Sequence, residues 1–303
     1  LPTGDARRQD TDDLTAFIDS LARKAPKTRQ SYREGVELLI AHTAARGMPL
    51  LENLEREHLE DFFNSLHARG NAPATIRNRQ AAIRAFYNWA IEFDLRKTHP
   101  MERIKPERIP EKVQAHYTGN DIAAVLGTIP SKGADLAALR DRAIVLFLFD
   151  TGMRAQELCS LCVGDLDTAE RQVMIRSGKG GKQRRVRYGS LTASALFRYL
   201  RRRPAHEPKD ALFLSRTGIP MTFNGLRTAL QRRFTAAGLT FCGVHGFRRG
   251  WAIAQLDGGA DALQLKELAG WNSLAMVYRY VRASAQERAL REYESPADRL
   301  LNK

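Results

Sequence analysis

The chain has 303 residues, 43% of them hydrophobic, with a formal net charge of +14. That length suggests two domains and at least one sizeable core. No run of 18 apolar residues occurs and the N-terminus has no charged-then-apolar pattern, so neither a membrane-spanning helix nor a secretory signal is expected. In chain order, residues 11–23 carry Leu14, Phe17, Ile18 and Leu21 at helical spacing behind Thr11 as a cap. Helices are expected at 27–45, 56–69 and 74–93, punctuated by Gly47, Gly70 and Pro73, which makes 1–97 a four-helix domain. Residues 98–117, with Pro100, Pro106 and Pro110, read as a stiff extended linker. A second domain, 118–303, opens at the cap Thr118. Helices are expected at 135–149, 191–203, 222–237, 248–258, 261–269 and 283–294, and strands at 165–168, 172–175 and 184–188, the last two joined by a turn at 178–181. The fold class is mostly α, with one small three-stranded antiparallel sheet in the second domain.

The charge is unevenly placed. Residues 1–97 hold 15 Lys and Arg against 14 Asp and Glu, whereas 98–303 hold 33 against 20. A basic surface of that size attracts polyanions, and nucleic acid is the leading partner; a basic protein with no such role is the plainer alternative. Three cysteines, an odd number, argue against a disulfide framework and fit a reducing compartment. Cys159 and Cys162 form a C-x-x-C, and Cys242 with His245 a C-x-x-H, which are four zinc ligands on paper. Thiols at i, i+3 in the helical-looking run 155–163 are the commoner signature of core packing, and buried thiols are the preferred reading.

Four separated segments carry a resemblance. They are Thr151-Gly152-Met153-Arg154-Ala155-Gln156-Glu157-Leu158, Ser177-Gly178-Lys179-Gly180-Gly181-Lys182, His245-Gly246-Phe247-Arg248, and Leu268-Ala269-Gly270-Trp271 followed nine residues later by Tyr280. In that order they resemble the arginine box, the lysine-bearing hairpin turn, the His-x-x-Arg and the closing box of the tyrosine recombinases, also called the phage integrase family. Thr28-Arg29-Gln30-Ser31-Tyr32 and Ala74-Thr75-Ile76-Arg77-Asn78-Arg79 resemble the two DNA-facing helix starts of that family's N-terminal domain. The likeness extends over roughly residues 10–300, in a simple two-domain layout like that of the Xer recombinases. It implies a SAM-like core-binding domain before an α-rich catalytic domain that ends in a docking helix.

The residue types suit phosphodiester transesterification, which needs a nucleophile, a proton for the leaving oxygen and positive donors around a phosphorane-like transition state. The resemblance implies Tyr280 as nucleophile, Lys179 as the acid that protonates the 5′ oxygen, His245 as general base, and Arg154 and Arg248 as forks on the non-bridging oxygens. Trp271 stands where many members have histidine; its indole N–H donates but carries no titratable proton. Glu157, one turn after Arg154, is expected to orient an arginine or the base. Tyr278 is the rival nucleophile and Lys182 the rival acid. The expected intermediates are a 3′-phosphotyrosine and a Holliday junction. No metal, ATP or other cofactor is implied.

Expected phosphate contacts are Arg29, Arg33, Arg77, Arg79 and Arg84 in the first domain, Lys182, Arg184, Arg185 and Arg187 on the hairpin, and Arg227, Arg232 and Arg233 on a helix. The resemblance further implies a two-domain clamp on double-stranded DNA with an inverted-repeat core site, a homotetramer on two sites coupled by exchange of the C-terminal tail, accessory proteins in some systems, and a cytoplasmic, nucleoid-associated setting in a bacterium, phage or mobile element. A type IB topoisomerase and a DNA-binding protein of this fold without catalysis are the competing readings.

Overall fold

The computed structural model describes residues 6–110, 115–130, 133–176, 183–204 and 206–278, with the single positions 290, 293, 295 and 297. The chain divides into two compact units, Leu1–Lys112 and Val113–Lys303. No helix among the described residues is long and apolar enough to cross a membrane.

The first unit contains α1 (Ala6–Ser20), α2 (Pro26–Ala45), α3 (Arg56–Ala68) and α4 (Pro73–Glu92). Proline opens both α2 and α4, where its missing N–H has no intrahelical partner to lose. Apolar residues at three- and four-residue spacing converge in one core, among them Leu14, Phe17, Val36, Leu39, Phe62, Ile83 and Phe86. α2 and α4 approach closely because Gly35 has no side chain: a Cβ there would lie 2.7 Å from Cβ of Ala82. Three residues earlier on α4, Arg79 donates to the Ser31 carbonyl at 3.2 Å, so the two helices run side by side from their N-termini.

The segment expected as a stiff extended linker, 98–117, packs against both units' cores at its ends. Met101 and Ile104 are buried in the first unit's core. Arg84 Nη2 donates to the Ile104 carbonyl at 2.9 Å, and the Glu107 amide donates to Gln80 Oε1 at 2.6 Å. At its far end, Tyr117 is buried in the second unit's core. The prolines keep the segment out of a helix, but its apolar side chains still have cores to enter.

The second unit starts with α5 (Gly119–Gly127), capped as expected: the Asp121 amide donates to Thr118 Oγ1 at 3.2 Å. α6 (Leu136–Thr151) is buried around most of its circumference, including Ala143, Ile144, Val145, Phe147 and Leu148. α7 (Ala155–Ser160) leads to an antiparallel sheet of β1 (Leu166–Asp167), β2 (Gln172–Ile175) and β3 (Arg184–Arg187). Val173 pairs with Val186 and Ile175 with Arg184, so these four side chains share the inner face. α8 (Ser190–Arg202), α9 (Phe223–Ala236), α10 (His245–Asp257) and α11 (Ala262–Ala269) complete the described helices. The expected helix at 283–294 lies outside the described residues, apart from positions 290 and 293.

α10 begins three residues before the expected start at 248. Its first turn fits against the chain at Tyr117 because Gly246 and Gly250 face it; a Cβ on Gly250 would lie 2.0 Å from the Tyr117 carbonyl oxygen. The cysteines are half-buried, not buried as expected. Cys159 and Cys242 pack on the edge of the core, while α7 ends at Ser160, so Cys162 stands beyond it in a bridge to Ala211.

Candidate active site

The arginine box is the junction between α6 and α7. Gly152 ends α6 in the left-handed region at φ 58°, and a Cβ on it would lie 2.2 Å from the Trp251 ring. Only glycine satisfies both demands, and the chain then turns so that Arg154 caps α7. The Arg154 amide donates to Glu157 Oε2 at 2.7 Å and its Nη1 to Glu157 Oε1 at 2.8 Å. Glu157, 3% exposed, also receives Arg184 through Nη1 on Oε1 at 3.0 Å and Nη2 on Oε2 at 2.7 Å. Burial by itself pushes this carboxyl up, but the hydrogen bonds from Arg184 and Arg154 outweigh it and hold it below the usual carboxylate range.

Arg248 sits one turn into α10 and is 1% exposed. Its Nη1 donates to the Gly152 carbonyl at 2.6 Å and its Nη2 to the Ala269 carbonyl at 2.7 Å. It thus joins the end of α6 to the end of α11. Gly270 caps α11 at φ 63° and sends Trp271 inward, where the Arg248 guanidinium lies 5.1 Å from the centre of the indole ring.

His245 opens α10. Its side chain is exposed, yet the atoms crowded about the ring take away part of its hydration, the largest influence on the imidazole, and Arg249, Arg248 and Arg154 repel its proton in addition. Together they push it down to about 4, so the ring is neutral near pH 7 and able to accept a proton. The structure thus brings Arg154, Glu157, His245, Arg248 and Trp271 together, although Arg154 and Arg248 are 94 residues apart. Two arginines on one buried carboxylate, a third arginine beside them and a neutral imidazole leave net positive charge, which suits a phosphate. Tyr280, Lys179, Lys182 and the tail lie outside the described residues. Tyr278 is 62% exposed.

Two of the residues expected at phosphates point into the protein. Arg184 points inward, 9% exposed, onto Glu157. Arg233 donates through Nε to buried Asp141 at 2.9 Å. Arg232 also reaches Asp141, at 3.3 Å, but stays half-exposed. In the first unit Arg84 holds the Ile104 carbonyl, Arg79 pairs with Glu34 at 3.2 Å, and Arg29 and Arg33 are half-buried. Arg77, Arg185, Arg187 and Arg227 are exposed. The inward turn of Arg184 had a signal in the sequence: it lies two residues before Val186, on the same face of a strand.

Residues 117–287 match the pattern of the phage integrase family, and residues 11–92 that of the phage integrase N-terminal SAM-like domain. The chain belongs to the phage integrase family, the tyrosine-type site-specific recombinases. It is a site-specific recombinase, an enzyme whose partner is DNA; a phosphotyrosine and a Holliday junction are general features of that family. Among its relatives, the tyrosine recombinase XerC of Mycobacterium bovis (strain BCG / Pasteur 1173P2) is 32% identical over 94% of this chain and 98% of its own length. XerC of Mycobacterium leprae is 32% identical over 88% and 93%. Solved structures share the fold. The Tn1549 transposon integrase in complex with circular intermediate DNA superposes with a TM-score of 0.75 at 18% identity, covering 94% of this chain and 99% of that one. The XerH recombinase bound to palindromic difH substrate gives 0.73 at 20% identity, covering 92% and 82%.

Proposed function

We propose that this chain cleaves and rejoins one strand of each of two duplexes in turn, using Tyr280 as nucleophile. The observation that carries this reading is the meeting of Arg154, His245, Arg248 and Trp271 in one positively charged site, from segments that only folding brings together. The Tyr280 oxygen attacks phosphorus and passes its proton to neutral His245. The P–O5′ bond breaks, and Lys179 protonates the departing 5′ oxygen. The phosphodiester's bond energy is kept in the 3′-phosphotyrosine, so religation by a 5′ hydroxyl needs neither ATP nor metal. Arg154 and Arg248 hold the non-bridging oxygens, where charge builds in the transition state.

The substrate in this reading is a duplex with an inverted-repeat core site, gripped by both units and read in part by Arg77 and its neighbours on α2 and α4. Four protomers act on two sites, coupled by their C-terminal tails, with accessory proteins setting direction. Relatives named XerC along nearly the full length of the chain support an Xer-type role. The test is covalent trapping: the protein is mixed with nicked suicide duplexes made from fragments of the source genome, without metal or ATP. The expected result is an adduct absent from Tyr280→Phe, whose trapped DNA identifies the site. Sequence-specific binding with no adduct would make the chain a silent DNA binder, and an adduct surviving Tyr280→Phe would move the nucleophile to Tyr278.

A further inference from the structure

We propose that Arg184 is a positioning residue for strand cleavage: by forking onto Glu157 it occupies the carboxylate that would otherwise capture Arg154. The inference rests on the functional reading above. Glu157 has two oxygens, and each accepts two hydrogen bonds. Oε1 takes Arg154 Nη1 at 2.8 Å and Arg184 Nη1 at 3.0 Å; Oε2 takes the Arg154 amide and Arg184 Nη2, both at 2.7 Å. Arg184 therefore holds the carboxylate with both arms of its fork, while Arg154 reaches it with one side-chain nitrogen. The rest of the Arg154 guanidinium, 29% exposed, stays available to a ligand. The charge count points the same way. Arg154 and Glu157 alone cancel; with Arg184 the group is net positive.

Without Arg184, Glu157 would be a buried carboxylate missing two donors, which is costly in a low-dielectric interior. The guanidinium already bonded to it is that of Arg154, and a planar fork fits a carboxylate better than a single contact does. Arg154 would turn onto Glu157 and leave the phosphate. The placement of Arg184 is built into the fold. It pairs with Ile175 across the sheet and shares the inner face with Val186. Its stem passes Gly270, where a Cβ would lie 3.0 Å from Arg184 Cδ. The same side chain thus touches the arginine box and the turn that delivers Trp271, and it is too enclosed to serve as a phosphate contact on the surface.

The test is single-turnover adduct formation by the full chain on a nicked duplex carrying the site recovered by trapping, with duplex affinity measured in parallel. Arg184→Met should slow adduct formation about 10–100-fold. Affinity for the duplex should change less than about threefold, because no phosphate contact is lost. Adding Glu157→Gln to Arg184→Met should recover about tenfold of the rate, because the charge that captures Arg154 is gone. A purely structural role predicts the reverse, a double variant as slow as the single one or slower, and that result would overturn the proposal. So would a loss confined to affinity. Arg184→Lys should fall between parent and Arg184→Met, since one ammonium cannot fork; parent-level cleavage by it would also overturn the proposal. If Arg184→Met does not fold, Arg184→Lys with and without Glu157→Gln decides by the same rescue. An adduct in the parent with an unaffected Arg184→Met sinks this inference alone, whereas no adduct in the parent sinks the functional reading and this inference with it.

Discussion

Arg96 in the first unit and Arg248 in the second are both buried, and their surroundings differ in kind. Arg96 donates to the carbonyls of Glu52, Leu54 and Thr98 and pairs with Glu55 at 2.9 Å, fastening the chain after α4 onto the segment between α2 and α3. Arg248 donates to Gly152 and Ala269, which belong to the two segments that carry Arg154 and Trp271. The carboxylates differ in parallel. In the first unit Glu55 pairs with Arg96 and Glu34 with Arg79. In the second, Arg154 and Arg184 share Glu157, while Arg140, Arg232 and Arg233 share Asp141. At Glu157 the two arginines leave positive charge in a buried site, a cost that a bound phosphate offsets. Paired charge around Arg96 holds structure, whereas the unbalanced charge around Glu157 suits a phosphate.

Removal of each arginine separates the two roles. Arg248→Ala is expected to slow adduct formation at least about 100-fold, as loss of a transition-state donor does. Arg96→Met should lower the denaturation midpoint while leaving the rate per folded molecule within about threefold of the parent. Equal losses of rate in the two variants would erase the distinction. Backbone changes come next. Gly152→Ala should destabilise the protein by about 3 kcal/mol, through its positive φ and the Trp251 ring together. Gly238→Ala, at φ 69° with open space where its Cβ would go, should cost about 1–2 kcal/mol. Denaturant titration of both variants separates packing at the site from strain alone.

The pH dependence is a gentler test. With His245 pushed from 6.5 down to about 4, its neutral form persists as pH falls, so adduct formation should not fall away around 6.5. The sign for stability runs the other way. The unfolded chain takes up the proton near 6.5 and the folded chain only near 4, so the stability associated with His245 is full above about 6.5 and lost as pH drops toward 4. A rate that titrates near 6.5 would show a hydrated imidazole whose proton Arg249, Arg248 and Arg154 do not repel. The smallest effects belong to exposed arginines. Arg77→Ala and Arg185→Ala should each weaken duplex binding a few-fold and reduce the salt dependence of log Kd by about one unit, without changing the cleavage rate of bound DNA.

Much of this was legible before the fold. The helices at 27–45, 56–69 and 74–93 fall within a residue or two of α2, α3 and α4, because their apolar spacing survives in the core they build. The strand 172–175 coincides with β2. α6 was legible as apolar but without a preferred face, since it is wrapped on most sides by its own unit. In the segment 98–117 the prolines and charges are what the sequence displays, while Met101, Ile104 and Tyr117 enter cores at spacings too irregular for periodicity to reveal. Three arginines in four positions look like a charged surface, but alternation about Val186 turns Arg184 inward and leaves Arg185 and Arg187 outside.

The sequence by itself determined the chemistry on offer: which arginines, histidine, tryptophan and tyrosine are present, in what order, and on which local elements, because propensity, capping and apolar period act over a few residues. Beyond the local pair of Arg154 with Glu157, folding alone sets which of those charges face one another. That Arg248 bridges Gly152 and Ala269, and that Arg184 joins Arg154 on Glu157, follows from contacts of Arg248 and Arg184 with residues 21 to 96 positions away. Such contacts form when buried polar groups must find partners in three dimensions, and no local pattern records them.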